Sequence, residues 1–198
     1  MKYPDNLEKL IKSFEMFPGI GPKSAERLAL FTVTKMSKDN AHSFSERITD
    51  AVNSIGNCEI CGNLTDHKIC EICTDEGREA TLMIVENTKD IIAFEKLNAF
   101  KGKYHVLNGY ISPLNGVGPE DINLSTLVNR VQDEKITKVI VALASTINGE
   151  MTTMYIKKMF EKTSTTIYRI GYGLPVGADI EYADEITLIK SLEGIKEL

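Results

Sequence analysis

The feature that most constrains this chain is a quartet of cysteines, Cys58-Glu59-Ile60-Cys61 and Cys70-Glu71-Ile72-Cys73, with eight residues between the pairs. All four cysteines of the sequence fall in this one window. Two C-x2-C pairs at short spacing place four thiolates where a tetrahedral Zn²⁺ takes them, at about 2.3 Å each. Gly62, just after the first pair, permits the tight knuckle turn. The rival reading is two disulfides. The first residues, Met1-Lys2-Tyr3-Pro4-Asp5, lack the apolar core of a signal peptide, and a chain without an export signal lives among reducing thiols. Four sulfur ligands leave no open coordination position, so the expected metal is structural and not catalytic. His67 lies inside the loop and reads as a solvated side chain.

A second constraint is Phe17-Pro18-Gly19-Ile20-Gly21-Pro22-Lys23-Ser24-Ala25-Glu26-Arg27. Gly19 and Gly21 can both take φ > 0 and present bare backbone to a ligand. Pro22 suits the first position of a following helix. The expected product is a tight hairpin that aims amides outward at a helix N-terminus, a ready anion site. Lys23 and Arg27 stand four apart and share one helix face. Lys23 also sits in the first turn, where the macrodipole disfavours a cation, and a docked phosphate offsets that cost. The plain alternative is an αα turn with two solvated basic residues.

Apolar periodicity surrounds this hairpin with helices. Leu7, Leu10, Ile11 and Phe14 predict a helix over about 6–16, and a second follows from Pro22 to about Val33. Ser37 is a candidate N-cap for a third, with Ala41, Phe44, Ile48, Val52 and Ile55 apolar and Gly56 at its end. Such an all-helical unit buries little surface alone and is expected to lean on a second copy. The net charge of −5 argues against a protein coated in nucleic acid. Any DNA contact must come from a local patch, multiplied by assembly.

Beyond Glu79 the pattern becomes βα alternation, with strands at 81–85, 104–107, 139–143 and 166–170. Helices are expected over about 88–100, around 124–131 and over about 150–161. This predicts a mostly parallel sheet covered by helices. A loop from Gly171 to Gly177 leads to a C-terminal segment centred on 183–192. Gly116-Val117-Gly118-Pro119 echoes the hairpin, but Glu120 and Asp121 replace the cation, so it reads as a structural loop. No apolar run approaches the roughly 20 residues that span a bilayer.

Function in open α/β sheets gathers at the carboxyl ends of strands. Glu86 ends the first strand of the sheet, and Asn148-Gly149-Glu150 follows the third. This resembles the Toprim domain of topoisomerases and primases, whose acidic trio binds Mg²⁺, but Asn148 leaves one charge missing. Asp90 reads as a helix-start residue. His105 reads as a packed strand residue rather than a general base. No P-loop string occurs.

The order of helix-hairpin-helix, four-cysteine finger, Toprim-like sheet and Gly173-Leu174-Pro175-Val176-Gly177 tail resembles the RecR family of bacterial recombination mediators along the whole chain. Tyr104-His105-Val106-Leu107, Ile111-Ser112-Pro113-Leu114, Gly116-Val117-Gly118-Pro119 and Glu181-Tyr182-Ala183-Asp184 carry the same resemblance. It implies an α+β multi-domain fold: a helix-hairpin-helix unit over 1–56, a zinc finger over 57–78, a Toprim-like domain over 79–172 and a C-terminal oligomerisation segment over 173–198.

The resemblance further implies a non-enzymatic, cytoplasmic protein, nucleoid-associated when working, that acts with RecO and RecF. Such proteins help load RecA onto single-stranded DNA coated by single-strand-binding protein. It implies dimers or ring-shaped tetramers that clamp single- or double-stranded DNA without reading sequence. On this basis Lys23, Arg27, Gly19 and Gly21 are expected to contact DNA, Glu86 and Glu150 to receive RecO, and Cys58, Cys61, Cys70 and Cys73 to hold structural Zn²⁺. The chain departs from the family pattern at Asn148, at Ala144-Ser145, at Tyr172 and at Ala178. The competing functions are a Toprim-type Mg²⁺-dependent nuclease or topoisomerase-like enzyme, and a zinc-stabilised scaffold that binds only protein.

Overall fold

The computed structural model describes residues 3–171, 173–174 and 177–194. Tyr172 and the Pro175-Val176 step of the tail lie outside the described residues. The chain divides into two compact units, Met1–Ile55 and Gly56–Leu198.

The first unit holds three helices, α1 (Asp5–Glu15), α2 (Pro22–Thr34) and α3 (Lys38–Ser54). Each starts where its chemistry directs. Asp5 and Glu8 occupy the first turn of α1, Pro22 opens α2 behind Gly21, and the Ser37 hydroxyl accepts from the Asn40 amide at 3.2 Å to cap α3. Gly56 does not end α3 as a left-handed cap. The helix stops at Ser54, Ile55 turns extended, and Gly56 begins a short strand. Among the described residues of this unit only the small Ala25 and Ala29 of α2 are fully buried, while Phe17, Phe31, Phe44 and Val52 stay exposed. Leu10, Phe14, Met16, Phe17, Phe44 and Ile48 line an open apolar groove of about 500 Å³.

The second unit begins with the two-residue strands β1 (Gly56–Asn57) and β2 (Leu64–Thr65), paired antiparallel, and the single turn α4 (Glu71–Thr74). Then follow β3 (Thr81–Val85), α5 (Thr88–Leu97), β4 (Lys103–Val106), α6 (Leu127–Asp133), β5 (Lys138–Ala142), α7 (Ile147–Met159), β6 (Thr166–Arg169) and α8 (Glu185–Glu193). The larger sheet has the order β4-β3-β5-β6, and every pairing in it is parallel. Both faces of its central strands are covered, which is why β3 and β5 are near-continuous apolar runs. Leu82 and Ile84 pack on one face with Leu127, Val131, Ile156 and Phe160. Met83 and Val85 pack on the other with Ile91, Tyr104 and Val106.

Other elements of this unit also differ from the sequence expectation, α6 starting at Leu127 rather than near Leu124. Helix α5 ends at Leu97 because Asn98 turns left-handed with φ of 51°, which frees Phe100 to meet Tyr104 edge-on at 5.1 Å. The loop over 108–121 contains 3-10 turns at Pro113–Asn115 and Pro119–Asp121 and a bridge between Ser112 and Val117. Helix α7 starts early, capped by the Thr146 hydroxyl accepting from the Gly149 amide at 3.2 Å. Asn148, Gly149 and Glu150 therefore occupy its first turn and not the preceding loop.

Gly149 is required by space. A Cβ there would lie 2.0 Å from the Ala144 carbonyl oxygen. Gly149→Ala must push α7 off the end of β5 and is expected to cost about 2 kcal/mol. A thermal unfolding midpoint lowered by several degrees is the expected result. An unchanged midpoint would contradict this packing.

Candidate metal centre and nucleic-acid interface

Cys58, Cys61, Cys70 and Cys73 are all buried, with their sulfurs within 4.8 Å of one another. None forms a disulfide. Tetrahedral zinc with bonds of about 2.3 Å needs sulfurs about 3.8 Å apart, and Cys61 and Cys70 Sγ lie at 3.5 Å. The knuckle closes through the Gly62 amide donating to the Cys58 carbonyl at 2.9 Å. Gly62 has φ of +77°, and a Cβ on it would meet the Val106 carbonyl oxygen at 2.9 Å. Only glycine fits on either count.

Backbone amides aim at two of the sulfurs. The Cys70 N–H donates to Cys58 Sγ at 3.3 Å, and the Asn63 N–H donates to Cys61 Sγ at 3.4 Å. Thiols bind zinc as thiolates, so loading this site releases their protons. His67 is exposed beside Asp66 and takes no part. The finger is fastened to the sheet by the Val106 N–H donating to the Cys61 carbonyl at 2.7 Å.

In the first unit, the segment before α2 forms a tight turn closed by the Ile20 N–H on the Phe17 carbonyl at 3.1 Å. Of the two glycines only Gly19 has positive φ, at +82°. Gly21 is extended, with φ of −84° and ψ of 172°, so of the two positions that can take φ > 0 only Gly19 uses that freedom. A Cβ at either position would meet nothing within 4 Å. The backbone of Gly21 is thus bare toward solvent although the fold would tolerate a side chain there.

Among the described residues no side chain caps the first turn of α2, and that turn contains no acid. Lys23 and Arg27 are exposed. The nearby Glu26 carboxylate accepts the Tyr3 hydroxyl. The echo at Gly116-Val117-Gly118-Pro119 is different, because the Gly118 amide already donates to the Asp121 carboxylate at 2.8 Å.

Glu86 and Glu150 follow the neighbouring strands β3 and β5 at the same end of the sheet. Asp90 completes a capping box, its carboxylate accepting from the Asn87 amide at 3.0 Å. The Glu150 carboxylate is held by both terminal amino groups of Arg169 and by the Ser145 hydroxyl at 3.2 Å. The Arg169 hydrogen bonds hold its pKa below the usual carboxylate range. Burial, with the hydrogen bond to Glu86, pushes the Tyr110 phenol up to about 12. Among the described residues, the cysteine quartet is the one group of three or more His, Cys, Asp or Glu side chains placed to hold a metal.

His105 is fully buried in β4. Its Nε2 donates to the Asn123 carbonyl at 2.7 Å, and burial lowers its pKa to about 4. It is a packed, neutral strand residue. Besides the Arg169 pair, two further arginine–glutamate ion pairs were not foreseen in the sequence. Arg78 grips Glu95 with two bonds of 2.8 and 2.7 Å, and Arg130 holds Glu134 at 2.7 Å. The available signals were an arginine four before a glutamate in an apolar helix, and Arg169 within an apolar strand.

Comparison with known families matches each part in turn. Residues 7–52 match the model described as RecR, helix-hairpin-helix. Residues 55–75 match the RecR zinc finger domain with four cysteine ligands, residues 80–171 match Toprim domain, and residues 173–194 match RecR, C-terminal. The zinc-finger match and the four converging sulfurs together identify a structural zinc site, in which these cysteines hold the ion and the ion stabilises the fold. Among the described residues no helix is long and apolar enough to cross a membrane. With three RecR models and a Toprim model arrayed in this order on an α+β chain, the protein belongs to the RecR family of recombination-repair proteins.

Proposed function

We propose that this protein is a non-enzymatic recombination mediator that grips the DNA backbone through the first turn of α2. The observation that carries this reading is the bare, uncapped turn itself. Gly21 leaves its amides uncovered, and Lys23 and Arg27 stand exposed beside it. Gly19 and Gly21 supply close approach, the two cations supply charge, and neither reads base sequence.

One such grip is weak, and the reading requires several copies joined in a dimer or a tetrameric ring that clamps single- or double-stranded DNA. The exposed apolar groove of the first unit supports self-association. The working setting is the cytoplasm, at the nucleoid. There the protein acts with RecO and RecF to help RecA load onto single-stranded DNA covered by single-strand-binding protein. Glu86 and Glu150 are proposed to receive RecO, which would meet Glu150 as an ion pair with Arg169 rather than as a bare carboxylate.

Two measurements test this. Mass in solution is expected to be a multiple of the single-chain mass, and to remain so with DNA; a lone subunit at every concentration and with every ligand would end the clamp. Supercoiled plasmid with Mg²⁺ or Mn²⁺ is expected to stay intact. Nicking that disappears in Glu86→Ala would replace this reading with a Toprim-type enzyme.

A further inference from the structure

Arg130 is a charged side chain in an apolar setting. It lies on α6 between the buried Leu127 and Val131 and is only 6% exposed. A guanidinium withdrawn from water is costly unless each face of it is satisfied. Its Nε donates to Glu134 at 2.7 Å. Nη1 donates to the Tyr104 carbonyl at 2.7 Å and also reaches His105 Nδ1 at 3.2 Å. Because His105 Nε2 already donates to Asn123, Nδ1 carries the lone pair that accepts from Arg130. The remaining amino group, Nη2, points into the finger and reaches Cys73 Sγ at 3.8 Å.

That last contact differs from the other two sulfur contacts. Cys58 and Cys61 accept from backbone amides within the finger itself. Cys73 accepts from a side chain of α6, fifty-seven residues away in sequence. A zinc ion bound by four thiolates is a doubly negative centre, and a buried cation beside it offsets part of that charge. A charge-assisted N–H···S bond also withdraws electron density from the sulfur and fixes its direction.

We infer that Arg130 is a positioning residue of the zinc site, donating from the Toprim-type sheet to the metal-bound sulfur of Cys73. The metal, Arg130 and the β4 backbone then form one connected structure, and the state of the finger is felt in the sheet through this side chain. Lysine cannot replace it. A single ammonium on a flexible stem reaches Glu134 or the sulfur, whereas the planar fork reaches both at once.

The test uses the full chain loaded with zinc or with Co²⁺. In Arg130→Met, the sulfur-to-cobalt charge-transfer band is expected at longer wavelength, because the sulfur lone pairs are no longer stabilised by a donor. Zinc affinity, read by competition with a chromogenic chelator, is expected to fall by roughly 10-fold or more. Gly149→Ala, destabilised elsewhere in the sheet unit, is expected to keep the wild-type band and affinity. Should Arg130→Met not fold, Arg130→Lys keeps the charge beside Glu134 and is expected to show the same band shift.

In the wild-type protein loaded with cadmium-113, a guanidinium proton is expected to show coupling to the metal across the hydrogen bond. A folded Arg130→Met with the wild-type cobalt band and wild-type zinc affinity would overturn the inference. So would a cadmium form in which slowly exchanging Arg130 protons show no coupling.

Discussion

Cys58→Ser protein is expected to contain no stoichiometric zinc and to lose the cooperative fold of the second unit. A structural zinc contributes on the order of 10 kcal/mol of folding free energy, comparable to or larger than the net stability of a whole domain. The loss does not stay local. The finger is bonded to β4 through Cys61 and Val106, Ile72 packs on the core of one sheet face, and Cys73 is in contact with Arg130.

The measurements are zinc content by elemental analysis and unfolding followed by circular dichroism. Chelation of the wild-type protein is expected to reproduce the mutant. A Cys58→Ser protein with wild-type stability, from a wild type that never contained zinc, would contradict the account.

Much of this architecture was legible because it depends on short-range pattern. The i, i+3, i+4, i+7 spacing of Leu7, Leu10, Ile11 and Phe14 and the cap at Ser37 place the helices within a residue or so. Apolar runs place β3 and β5, because a strand buried on both faces has few polar positions. The cysteine spacing specifies a tetrahedral site wherever the finger sits. What was not legible depends on which elements become neighbours. Glu150 meets Arg169 from nineteen residues away only because α7 and β6 both return to the same end of the sheet. Arg130 meets Cys73 only because α6 packs where the finger docks. The two hairpin glycines look alike in sequence, yet their backbone angles follow from the neighbouring turn, and only Gly19 is left-handed.

Charge reversal at the hairpin, Lys23→Glu with Arg27→Glu, is expected to separate binding from stability. Each lost charged phosphate contact is worth about 1.5 kcal/mol or more. Two together predict roughly a 100-fold fall in DNA affinity for one hairpin, and a larger fall where linked copies bind together. Stability should move the other way. The first turn of α2 contains a lysine and no acid, and a glutamate there suits the helix dipole by about 0.3–1 kcal/mol. The double variant is therefore expected to melt at or slightly above the wild-type temperature while failing to hold DNA. Neither side chain is buried, so a loss of folding is not expected to confuse the result.

The most direct test of the central claim is the salt dependence of DNA affinity, measured for wild type and for the Lys23→Glu, Arg27→Glu variant on two unrelated single-stranded sequences. Wild-type affinity should fall linearly on logarithmic axes, with one slope for both sequences. The variant slope should be shallower by about 1.4 per engaged hairpin, two phosphates at about 0.7 each. A slope untouched by the charge reversal, or one that depends on sequence, would mean that this turn is not where the protein holds DNA.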